Sequence, residues 1–222
     1  MGDRVDDDKG LSRRTFIKRT GMAAGGVALL GSLPAGLRVP AAGAQTGGAL
    51  SATELKTLEA LLTQLMPKDG LGPGAVELGV ADYIDSSLTT SYRPLLSTYK
   101  SFLAALDKAA GSAGADSFED LSAGAQVKLL EQLEAGKAPG LSAAEKAEAE
   151  ATFPLVLEHM REGMFGDPMY GGNKGLAGWK LIGYPGIQLA ATEPVQQVDA
   201  KVPPTGMTAK NYGGEPYDGT PV

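Results

Sequence analysis

Residues 51–66 read SATELKTLEALLTQLM, and this stretch decides the fold class. Ser51 followed three residues later by Glu54 is a capping box, in which each side chain satisfies the other residue's free backbone N–H. Leu55, Leu58, Leu62 and Leu65 then recur at three- and four-residue spacing, with Leu61 beside them. That spacing places them on one face of an α-helix. Pro67 ends the helix, and the turn-rich run from Lys68 to Gly74 follows.

The same period continues downstream. A second helix is expected from Ala75 to Leu88, burying Val76, Val80, Tyr83 and Ile84. A third runs from Pro94 to about Ala110, with Leu95, Leu96, Tyr99, Phe102, Leu103 and Leu106 as a wide apolar stripe. Proline suits its first turn, where the missing N–H has no partner to lose. Ser122 opens a fourth helix, stopped by Gly136, with Val127, Leu130 and Leu133 inward. Ser142 and Glu145 form a second capping box, opening a fifth helix towards Met164. Its core face is Phe153, Val156, Leu157, Met160 and Met164, and Pro154 is expected to kink or divide it. With no period-2 pattern in this body, the expected fold is all-α, a small bundle of about five helices.

From 163 to 186 the character changes. Eight of these 24 residues are glycine, and Phe165, Tyr170, Trp179 and Tyr184 add four aromatic rings. Glycine tolerates close backbone approach, so an irregular but compact C-terminal lobe is expected. The tail, residues 187–222, is rich in proline and poor in large apolar side chains. It reads as disordered, or as extended along another subunit.

The first 44 residues read as an export leader. Ser12-Arg13-Arg14-Thr15-Phe16-Ile17-Lys18 precedes a short apolar run rich in glycine and alanine, ending in Ala42-Gly43-Ala44. Twin arginines before a large apolar residue mark the twin-arginine (Tat) route. The small residues fit a signal peptidase, with cleavage expected between Ala44 and Gln45. The run is too short and too dilute in apolar residues to span a membrane. Tat substrates leave the cell folded, often around a cofactor.

Composition narrows the chemistry. The chain has 222 residues, no cysteine and one histidine. Thiolate metal sites, iron–sulfur clusters, covalent haem and cysteine nucleophiles are excluded, and Ser-His-Asp or zinc hydrolysis has little to work with. The formal net charge is −6. The leader holds seven of the 20 basic residues and four of the 26 acidic ones, so the remainder stands at −9. Such a surface is repelled by nucleic acid and by anionic lipid, and neither nucleic-acid binding nor membrane insertion of the mature chain is expected. A Tat passenger without cofactor ligands either folds fast on its own or travels with a partner that holds the cofactor.

The run His159-Met160-Arg161-Glu162-Gly163-Met164-Phe165-Gly166-Asp167-Pro168-Met169-Tyr170-Gly171-Gly172-Asn173, followed by Gly178-Trp179 and Tyr184-Pro185-Gly186, resembles the signature of the gluconate 2-dehydrogenase subunit 3 family. Pro67-Lys68-Asp69, Gly72-Pro73-Gly74-Ala75 and Tyr83-Ile84-Asp85 fit it too, so the resemblance covers roughly residues 50–186. It implies a small, non-catalytic subunit of an exported sugar or polyol dehydrogenase, periplasmic or on the outer face of the cytoplasmic membrane. The implied partners are the Tat translocase, a large FAD-bearing subunit of the glucose–methanol–choline type and, in some complexes, a multihaem cytochrome c. The small subunit would supply the Tat signal for co-export and stabilise the flavoprotein.

No residue is assigned to catalysis, cofactor or metal. Glu158, His159 and Glu162 on one helix need two further ligand-bearing helices to hold a metal. His159 reads as a satisfied helix-face histidine that hydrogen-bonds the glycine-rich loop and ties it to the last helix. Residues 167–173 lack the Lys and Ser/Thr of a phosphate loop. Two readings of the lobe stay open: a self-packed cap on the bundle, or a docking surface. Aromatic residues are enriched at interface hot spots, and with the resemblance this favours docking, with Trp179 and Tyr170 as anchors. The residues involved are His159, Glu162, Gly163, Phe165, Pro168, Tyr170, Gly171, Gly172, Asn173, Trp179, Tyr184, Pro185 and Gly186. The alternative is a stand-alone exported protein that binds sugar on the aromatic loop.

Overall fold

The computed structural model describes residues 48–188, 190, 192–197, 202 and 204–211. The Tat stretch Ser12–Lys18 and the cleavage site at Ala42, Ala44 and Gln45 lie outside the described residues. Within them the chain is helical, without a strand: α1 Ala52–Leu65, α2 Val80–Thr89, α3 Leu96–Gly111, α4 Ala123–Glu134, α5 Ala143–Phe165 and α6 Ala177–Ile182. Single 3-10 turns lie at Arg93–Leu95, Pro168–Tyr170, Lys174–Leu176 and Glu193–Gln196.

Both capping boxes form. The Ser51 and Ser142 backbone N–H groups each donate to the glutamate three residues on, at 2.7 Å, and the return bond to each serine hydroxyl is 3.3 Å. Each cap contributes about 0.5–2 kcal/mol. Packing contributes more. Leu58, Leu61 and Leu62 of α1 are fully buried, at roughly 1.5–3 kcal/mol per side chain. α1 and α5 each lie against α2, α3 and α4. The core between them holds Ile84, Leu88, Tyr99, Phe102, Leu106, Phe118, Leu130, Val156, Met160 and Met164.

The bundle departs from the expected pattern in three places. The second helix begins at Val80, not Ala75, because Gly79 takes a left-handed conformation with φ +73°. Residues 75–79 form turns there, and the Leu78 carbonyl accepts the Lys174 N–H at 3.1 Å, so this corner receives the C-terminal lobe. Secondly, α5 is one 23-residue helix that Pro154 does not divide. Pro154 is exposed, while Phe153 before it and Val156 two residues after it are held in the core. Thirdly, the lobe contains a helix that its glycine content hid, α6.

The chain enters the bundle at a clamp. Asp85 of α2 accepts the Leu50 N–H at 2.8 Å, and Gly48 lies so close to that carboxylate that any Cβ there would overlap it.

Candidate functional site

The sole histidine lies where α5, α2 and α3 meet. Positions 159, 162 and 163 fall on one face of α5 by helical spacing. His159 is buried, its ring stacked on Tyr92 at 4.0 Å between centroids and parallel to Tyr99 at 5.8 Å. Its Nδ1 and the Tyr99 hydroxyl are hydrogen-bonded at 2.8 Å. This corrects the expected bond from His159 to the glycine-rich loop: its partner is a tyrosine of α3. One turn on, Glu162 Oε2 accepts the Tyr83 hydroxyl at 3.1 Å and the Tyr92 hydroxyl as well. Gly163 leaves room for the Tyr83 ring, which a Cβ would meet at 2.8 Å. The cluster therefore welds three helices through one short run of α5.

Burial sets the charge state of the histidine. Desolvation holds the His159 pKa below its ordinary value, against the opposing pull of Glu162 and Glu158. Burial, and then the hydrogen bond to Glu162, raise the Tyr92 hydroxyl well above the usual range. Burial chiefly does the same for Tyr99, so both phenols stay protonated. A buried neutral imidazole has a defined effect on stability. Between the depressed folded pKa and the unfolded value of about 6.5, the unfolded chain binds more protons, so stability falls as pH drops through that window. With one histidine in the chain, the melting temperature should fall from pH 7.5 to pH 5.5, and His159→Gln should remove that slope. An unchanged slope in the variant would contradict the assignment.

The lobe is built on Asn173, which is fully buried in a left-handed conformation with φ +47°. Its Nδ2 donates to the Gly166 carbonyl at 2.9 Å. Its Oδ1 accepts the N–H of Gly178 at 2.9 Å and of Trp179 at 3.3 Å. One amide thus joins the end of α5 to the start of α6. Two glycines permit the close approach: a Cβ on Gly172 would lie 2.1 Å from the Gly163 carbonyl oxygen, and one on Gly178 would lie 1.8 Å from that of Met164. Asp167 caps the turn that follows α5 by accepting the Met169 N–H, and Pro168 is buried beneath it.

Trp179 faces inward. It is 5% exposed, its indole N–H donates to the Phe165 carbonyl at 2.8 Å, and Tyr184 meets its ring edge-on at 4.8 Å. As a surface anchor for docking it is corrected: the indole is spent inside this chain. Tyr170 at 48% exposure, Ile182 at 56% and Tyr184 at 43% are the exposed large apolar side chains of the lobe.

The family model for gluconate 2-dehydrogenase subunit 3 matches residues 52–186. The chain belongs to the gluconate 2-dehydrogenase subunit 3 family. No curated protein and no solved structure gives a significant match. In this subunit 3 chain the matched span runs from the start of α1 to Gly186, and so takes in the histidine–tyrosine–glutamate cluster and the whole lobe.

Beyond the match, the described part of the tail returns to the subunit's own lobe. Ile187 donates to the Met207 carbonyl at 3.1 Å, Thr205 to that of Pro185 at 2.8 Å, and Ala209 to the Asp167 carboxylate at 2.6 Å. A cleft of about 640 Å³ lies between α6 and this returning segment, lined by Trp179, Lys180, Tyr184, Pro185, Pro204 and Thr205 among others. Among the described residues no three of His, Asp and Glu gather to hold a metal ion. No described helix is long and apolar enough to cross a membrane.

The sequence reading missed Tyr92 and Tyr99 as partners of His159 and Glu162. For Tyr99 the available signal is the wide aromatic-bearing face of α3; Tyr92, in the turn before that helix, has none.

Proposed function

We propose that this chain is a non-catalytic small subunit of an exported, FAD-dependent sugar or polyol dehydrogenase. It supplies the twin-arginine signal by which the folded flavoprotein leaves the cell, and it stabilises that subunit outside. The observation that carries this reading is the family match over residues 52–186, which makes the chain a subunit of a multi-subunit dehydrogenase. Three features support the finer statements. Arg13 and Arg14 stand before Phe16 ahead of the bundle, in the pattern of a folded-export signal. The ionisable groups of the described site are used for packing: His159 is held neutral by burial, and Glu162 takes two phenol hydroxyls. The chain has no cysteine for covalent haem attachment, and this reading assigns the flavin and any haem to partner subunits.

Replacing both Arg13 and Arg14 by Lys in the native host tests the export role. Dehydrogenase activity and flavin are then measured in the periplasmic and cytoplasmic fractions. The expected result is activity retained in the cytoplasm and lost outside; normal export of the flavoprotein would overturn the reading. The cleft beside Tyr184 favours a second reading, an exported protein that binds sugar by itself. A colourless, lone chain that binds sugar after gentle extraction would establish it instead.

A further inference from the structure

The loop that follows α1 carries an aspartate–glycine bond, Asp69–Gly70. Asp69 and Gly72 exchange both backbone hydrogen bonds, each at 3.2 Å, so Gly70 and Leu71 form a two-residue tip. The tip stands in solvent: Asp69 and Gly70 are exposed, and Leu71 is 75% exposed. The Asp69 side chain folds forward over it, with Oδ1 accepting the Leu71 N–H at 2.8 Å. The peptide nitrogen that lies between them is that of Gly70. Its N–H makes no hydrogen bond among the described residues. A Cβ on Gly70 would meet nothing within 4 Å, so no other part of the fold crowds this residue.

We infer that Asp69–Gly70 is a site of covalent self-modification, at which the Gly70 nitrogen closes on the Asp69 carboxyl carbon to give a succinimide. Three conditions for that closure meet here. Glycine presents no side chain to shield the nitrogen. The bond to Oδ1 restrains the carboxyl beside the Gly70 peptide, which lowers the entropy cost of closing the ring. The same Leu71 N–H stands where negative charge gathers on Oδ1 during attack. With the carboxyl protonated, the N–Cγ bond forms and the Cγ–Oδ2 bond breaks. Oδ2 leaves as water, taking the carboxyl proton and the proton of the Gly70 nitrogen. Hydrolysis then returns one water at either ring carbonyl, giving aspartate again or an isoaspartyl link. Nothing is oxidised or reduced, and the mass is restored. The isoaspartyl backbone runs through the side-chain methylene and is one carbon longer, so the paired bonds between Asp69 and Gly72 lose their register.

The test ages the full chain in warm, mildly acidic buffer, beside the same chain unfolded in urea. Samples are digested and read by mass spectrometry with electron-transfer fragmentation, which separates isoaspartate from aspartate at equal mass. The folded chain should convert at position 69 at least as fast as the unfolded one. Gly70→Ala should slow that conversion by about tenfold, because its methyl group hinders approach to the nitrogen. The fold has room for this methyl, so the circular dichroism of the variant should match wild type. Asp69→Asn should reach the same succinimide sooner, by loss of ammonia. Slower conversion in the folded chain than in urea would overturn the inference, as would a Gly70→Ala chain that converts at the wild-type rate.

Discussion

Asn173→Ala should lower the stability of the chain by about 3–5 kcal/mol, measured by urea unfolding followed by circular dichroism. The substitution leaves the buried N–H groups of Gly178 and Trp179 without partners and turns the part-exposed Gly166 carbonyl to solvent. Each such group costs about 1–3 kcal/mol. Alanine must also hold the left-handed conformation that asparagine tolerates through its short polar side chain, at about 1 kcal/mol more. A domain of this size has about 5–15 kcal/mol in total, so this single amide accounts for a large fraction. Asn173→Asp keeps the acceptor for Gly178 and Trp179 but sets a buried carboxylate against the Gly166 carbonyl oxygen, so at pH 7 its loss should be at least as large. A loss below about 1 kcal/mol for the alanine variant would mean that the lobe is held by something other than this amide.

Trp179→Ala should cost a similar amount, about 3–5 kcal/mol, by emptying the space beneath Tyr184 and stranding the Phe165 carbonyl. The contrast with Tyr170→Ala carries the argument. Tyr170 is exposed, and its loss should change stability by about 0.5 kcal/mol or less. Denaturant midpoints of the two variants separate packing from docking within one lobe. If Trp179→Ala unfolds at the wild-type midpoint, the indole is not a packing element.

Most of the bundle was legible because its signals are local. A capping box spans four residues and a helical stripe is visible within one window, so α1, α3, α4 and α5 follow from neighbours in the chain. What could not be read depends on distant partners. The late start of α2 is imposed by a left-handed Gly79 that receives Lys174, more than 90 residues away. α6 forms in a run that glycine should disfavour, because the Asn173 side chain caps its first N–H groups. The sequence shows His159 as a satisfied helix-face residue but not its partner, since only the fold brings Tyr99 across from α3. Composition does not report which way an aromatic side chain points, so it offers Trp179 as a surface anchor where the fold turns it inward.

The return of residues 205–209 to the lobe bears on biosynthesis. A chain made from its N-terminus can assemble α1 to α6 as soon as they emerge, but the bonds to Pro185, Ile187 and Asp167 wait for residues 205–209. Closure of the lobe thus registers that translation has passed residue 209. For a protein expected to leave the cell only once folded, that late seam would discriminate a chain that carries residues 205–209 from one truncated before them.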